Sequence, residues 1–169
     1  MSPTMLDRYR RWFDYEKDSH RQVLASLDSV AAEGRDSDAY RKALDLLGHI
    51  LAARRMWLHR LDPAFERPPA VFPTGVDRAG LEGEFEAMER GWEDYLGRLT
   101  EADLDRDLTY PTSEGATFRS TLADILIHVH GHSLYHRGQI ASLVRAAGGQ
   151  PAATDFILWA REPADPPAV

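Results

Sequence analysis

The sequence contains no cysteine. That excludes disulfides, thiolate metal ligands and a cysteine nucleophile together, and it fits a reducing compartment. An excess of positive charge is also missing: 20 Lys and Arg stand against 27 Asp and Glu, a formal net charge of -7. An acidic chain repels phosphate backbones, so nucleic acid is not an expected partner. No apolar run approaches the ~18 residues of a membrane span, so a membrane is not expected either. The opening residues Met1 to Arg8 lack the apolar stretch of a signal peptide. No repeat or low-complexity block interrupts the 169 residues, a length that predicts one domain, 1–169, with one sizeable core. These absences together predict a soluble cytoplasmic protein.

What is present is helical period. Tyr9, Phe13, Glu16, His20, Val23, Leu24 and Leu27 recur at spacings of three and four and predict a first helix over 5–32. Trp12 and Tyr15 widen that stripe. His20 falls inside it, which fits a buried histidine bonded to a neighbour or a residue contacting a site. Ala32 to Ser37 is a short connection with turn and cap residues, implying an antiparallel neighbour. Tyr40, Ala43, Leu44, Leu47, Ile50, Leu51, Leu58 and Leu61 predict the second helix, about 37–61, with His49 just beyond the apolar edge. Asp62-Pro63 stops it. Residues 63–77 hold four prolines and predict an irregular crossover long enough to run the length of a bundle. Leu81, Phe85, Met88, Trp92, Leu96 and Leu99 predict the third helix, about 78–99, parallel to the second. Leu108 to Tyr110 and Ala116 to Phe118 alternate around a Pro111–Gly115 turn and predict a small hairpin. Phe156, Ile157 and Trp159 predict a short last helix, followed by a frayed proline-rich tail from Glu162.

The fourth helix, about 121–147, carries the chemistry. Thr121-Leu122-Ala123-Asp124 has the form of a capping box with a short acid at its fourth position. Leu122, Ile125, Leu126, Val129, Ser133, Ile140, Leu143 and Val144 make its apolar stripe, and Gly148-Gly149 with Pro151 end it. Four of the chain's seven histidines fall between His128 and His136. His132 and His136 are four apart, so they lie about 40° apart on one face and roughly 6 Å along the axis. That spacing lets two imidazoles converge on one metal ion. It equally fits a chance cluster of solvated histidines beside a core. His128 lies a turn back on the same side, and His130 points nearly the opposite way.

The segment His132-Ser133-Leu134-Tyr135-His136-Arg137-Gly138-Gln139-Ile140 matches a His-x-x-x-His-Arg-Gly-Gln signature. With Leu47-Gly48-His49-Ile50-Leu51 and Trp57, and with Trp12 to Tyr15, it makes the chain resemble the DinB/YfiT family of damage-inducible-type proteins. The resemblance covers nearly the whole chain. It implies an all-α four-helix bundle of up-down-down-up topology, with the long crossover between helices two and three. It also implies a divalent metal held by His49, His132 and His136, and often a homodimer. Three neutral imidazoles suit Zn²⁺, Ni²⁺ or Fe²⁺ and leave at least one position for water or substrate. The family includes enzymes that use low-molecular-weight thiols and proteins described as metal-dependent hydrolases.

The leading expectation is a metal-dependent enzyme acting on a small molecule, either a thiol-dependent S-transferase or a hydrolase. The alternative is a non-catalytic divalent-metal or small-molecule binding module. A third reading is a bundle with vestigial histidines. Candidate contacts around the ligands are His20, Trp57, His128, Tyr135, Arg137 and Gln139. Arg137 is read either as an anion receptor or, preferentially, as half of an internal salt bridge. Gly138 is expected to permit close helix packing. Glu16, Asp45 and Asp124 are the expected orienting partners for the ligand imidazoles.

Overall fold

The computed structural model describes residues 2–112 and 115–164. Among these residues the chain is mostly helical: α1 (Met5–Asp28), α2 (Ala32–Arg35), α3 (Asp38–Leu61), α4 (Leu81–Arg98), α5 (Leu122–Ala146) and α6 (Phe156–Ala160). A 3-10 turn over Glu101–Asp105 leads into β1 (Asp107–Pro111), which pairs antiparallel with β2 (Thr117–Thr121). The four long helices are those the stripes predict, and the hairpin precedes α5. Most of the tail expected to fray lies outside the described residues, as do Ser113 and Glu114 of the hairpin turn.

The differences are local and physical. The first helix ends at Asp28 instead of 32, because Val30 turns into the core and is 1% exposed. Arg35 caps that end, donating from Nε to the Val30 carbonyl at 2.9 Å. The connection that follows is itself one helical turn, α2. α4 begins at Leu81 because Gly80 holds a left-handed backbone, φ +84°, which only glycine adopts without strain. Strand β2 runs on to Thr121, which is also the N-cap of α5. Its hydroxyl accepts from the Asp124 amide at 3.1 Å, so the hairpin feeds directly into the histidine helix.

α5 packs against α1 and α3, and α4 against the same two helices. Their buried faces form one core, with Leu27, Leu47, Ile50, Phe85, Trp92, Leu122, Ile125 and Ile140 among its fully buried side chains. The crossover between α3 and α4 folds back over α3. Asp45 Oδ1 accepts from the Val76 amide at 3.0 Å. Gly48 lets the segment close in, since a Cβ there would stand 2.7 Å from Val76 Cγ2 and 3.1 Å from Pro73 Cγ. No described helix is long and apolar enough to cross a membrane.

Candidate metal centre

α3 supplies His49 and α5 supplies His132 and His136. The i, i+4 spacing puts the α5 pair on one face, and the packing of α5 on α3 brings His49 opposite them. One ring nitrogen from each lies within 4.8 Å of the other two, a spacing that can hold a single metal ion. His49 Nε2 and His132 Nε2 are 3.0 Å apart. The His132 and His136 ring centroids are 4.5 Å apart, and those of His49 and His136 4.8 Å. His49 is buried, deeper than an edge position implies, because the crossover covers it; His132 and His136 are half-buried.

Two of the rings are held by their other nitrogen. His49 Nδ1 lies 2.7 Å from the Val71 carbonyl, which can only accept, so Nδ1 carries the proton. His136 Nδ1 lies 2.7 Å from Gln139 Oε1, which likewise accepts. In each neutral ring the lone pair is then on Nε2, turned toward the centre. A proton on His132 Nε2 can serve one of these lone pairs; a cation serves all three. The donor set therefore fits a divalent ion bound by neutral imidazoles.

The electrostatics favour the neutral form of His132 and His49. His132 is pushed down to about 4, first by burial and then by the neighbouring His136, His49, His128 and Arg54. Burial also lowers His49, against the Val71 carbonyl, which favours its charged form.

The expected orienting carboxylates are not the ones used. Asp45 holds the Val76 amide, and Asp124 belongs to the α5 cap. Glu16 is fully buried in an ion network. Arg54 donates to it at 2.5 Å and Arg137 at 2.6 Å, while Arg54 Nε reaches Ser133 Oγ at 3.1 Å. Burial alone would raise the Glu16 carboxyl; Arg54, His130, Arg137 and His20 together hold it far below the usual carboxylate range. The network works at one remove from the ligands. Ser133 and Arg137 each follow one of the clustered α5 histidines in sequence, and Arg54 lies on the helix of His49. One α1 carboxylate thus braces both helices that supply imidazoles.

The other candidates fall into place around this. Arg137 is 2% exposed and paired internally, with Tyr15 as a second acceptor at 2.7 Å. His20 is buried with the Glu16 network, its Nδ1 2.7 Å from Glu89, and joins no ligand. His130 points away from the centre and stacks on Trp12 at 5.3 Å. His128 sits beside His132, with ring centroids 5.7 Å apart, and Trp57 packs against His128 at 5.5 Å. Tyr135 is exposed next to His136, 5.1 Å between centroids. Gly138 faces open space, and a Cβ there would touch nothing. Its expected role in close packing is therefore not found. The sequence reading missed Val71 and Phe72; the latter stacks on the His49 ring at 4.5 Å.

A helical protein with a three-histidine cluster shared between two of its long helices is the class that these observations define. The chain belongs to the DinB family, whose pattern it matches over residues 1–165. It is similar to Protein DinB of Bacillus subtilis (strain 168), 33% identical over 89 residues, a match covering 47% of this chain and 52% of that protein. The chain thus spans about half the length of this curated relative. No solved structure gives a significant match.

Proposed function

We propose that the protein is a metal-dependent enzyme in which His49, His132 and His136 hold one divalent ion, Zn²⁺, Ni²⁺ or Fe²⁺. The observation that carries this reading is the convergence of three imidazole nitrogens, two of them with the opposite nitrogen already committed. When bound, such an ion acidifies a coordinated thiol or water and polarises a carbonyl. The chain's own residues fix the tautomers through Val71 and Gln139, cover one face of His49 with Phe72, and brace α3 against α5 through Glu16. Of the two activities, a thiol-dependent transferase is preferred to a hydrolase, with a low-molecular-weight thiol as co-substrate. The cleft beside His49 and His136 is walled by Leu46, Phe72, Pro73 and Leu143, which favour an organic thiol and an apolar electrophile over bulk water. The up-down-down-up bundle, a homodimeric state and a cytoplasmic location go with this proposal.

The alternative, a non-catalytic metal or small-molecule binding module, has one observation in its favour. The cleft's carboxylate, Asp45, is committed to the Val76 amide and is not a free general base. Elemental analysis of the purified protein, followed by thiol-transfer and esterase panels on the metal-loaded form, decides between them. Stoichiometric metal with turnover lost in His132→Ala supports the enzyme. Stoichiometric metal with no turnover across both panels supports the binding module, and no metal at all ends both.

A further inference from the structure

The cleft that opens on the metal centre has two unlike ends. Its volume is about 370 Å³, within the range of small-ligand sites. His49 and His136 form one end. From there Leu46 and Lys42 continue along α3, three and seven residues before His49, and Leu143 continues along α5, seven residues after His136. Seven residues of helix span about 10 Å, so the two walls run alongside each other for two turns. Phe72 and Pro73 of the crossover close the cleft from above.

The walls are apolar and half-buried or exposed, with Phe72 76% exposed over the cleft. The far end carries Lys42. It forms no ion pair among the described residues, and the nearby Asp38 is taken by Arg41 at 2.7 Å. Asp45, the opposite charge on the cleft, already accepts the Val76 amide.

We propose that this cleft binds an amphipathic organic anion. Its donor atom sits at the three-histidine centre, its apolar body lies along Leu46, Phe72 and Leu143, and its carboxylate reaches Lys42 about 10 Å away. The inference rests on the metal reading and adds the chemical class of the ligand. The class follows from the order of the walls: a coordinating end, a middle that rewards methylene groups, and a cationic end.

The test uses the full chain loaded with Co²⁺, whose visible absorption reports the occupied centre and whose near-ultraviolet bands report a coordinated thiol. The probes are ω-mercaptocarboxylates of three, six and eight carbons, with hexanethiol and 6-aminohexanethiol as uncharged and cationic counterparts. Affinity should rise about threefold per added methylene up to eight carbons. The six-carbon acid should bind about fivefold more tightly than the amine. Lys42→Gln should abolish the preference for the acid and leave the Co²⁺ spectrum unchanged. Leu46→Asn should flatten the dependence on chain length. Equal binding of all chain lengths, or an amine bound as well as the acid, overturns the cleft proposal while the metal reading stands. Failure of Co²⁺ to bind the wild type overturns both.

Discussion

At the residue scale, the three imidazoles differ in what holds them. His132→Ala should remove metal binding and leave the fold intact, because a half-buried ring at the edge of the core opens little volume when it is lost. Equilibrium dialysis and circular dichroism on the same sample check both halves. Gln139→Leu keeps the bulk but removes the acceptor for His136 Nδ1. Its metal affinity should fall about 10–100-fold, read by competition with a chromophoric chelator. The pH dependence follows from His132, held at about 4 in the folded chain against an ordinary 6.5. Between those values the unfolded chain binds the proton and the folded chain does not, so metal-free stability is lost as pH falls from about 6.5 toward about 4. His132→Ala should lessen that loss in thermal melts of chelator-treated protein. The three clustered histidines are legible in the sequence in part. The i, i+4 pair could be read from spacing, while His49 needed the family resemblance because nothing local marks it. Val71 was out of reach, since a backbone carbonyl acting through a fold-back leaves no residue-type signature. Glu16 stands out in the sequence as a candidate orienting acid, but its actual partners do not, because nothing in the sequence shows that Arg54 and Arg137 converge on it.

At the element scale, the stripes predicted the four long helices within a few residues, since burial on one face imposes the period directly. The ends moved where single residues overrode it: Val30 turning inward, Gly80 in its left-handed backbone, and Thr121 shared between strand and helix. Ile140, 1% exposed on the buried face of α5, illustrates the core's contribution. Ile140→Ala should cost ~2–5 kcal/mol in urea unfolding. Glu16→Gln should cost ~3–5 kcal/mol, because it leaves Arg54 and Arg137 buried with too little negative charge. The same variant should broaden or shift the Co²⁺ spectrum, which Ile140→Ala should not, since only the former lies in the brace between the ligand-bearing helices. Gly48→Ala bears on the crossover. The added methyl meets Val76 and Pro73, so the segment must lift and carry the Val71 carbonyl off His49. Metal affinity should drop about tenfold with helix content unchanged.

At the scale of the whole molecule, the core and the candidate metal site are nearly separate. The core clusters residues from all four long helices, while the histidines lie beside it. Metal binding should therefore add stability only by linkage, about 2.7 kcal/mol at a hundredfold excess over the dissociation constant. Chelator should lower the melting temperature by a few degrees and leave a cooperative transition. A chain unfolded by chelator at room temperature would make the metal structural and would count against the enzyme reading.

The tie between His49 and the crossover has a wider consequence. The helices that present the donors are locked to one another by buried charge, and substitutions there threaten folding. The partner that sets the His49 proton, and the aromatic ring that covers it, belong instead to a stretch without helix or strand, fastened by Asp45 and the room at Gly48. Selection can therefore retune the acidity, accessibility and preferred occupant of the centre by altering a loop, at little risk to the scaffold.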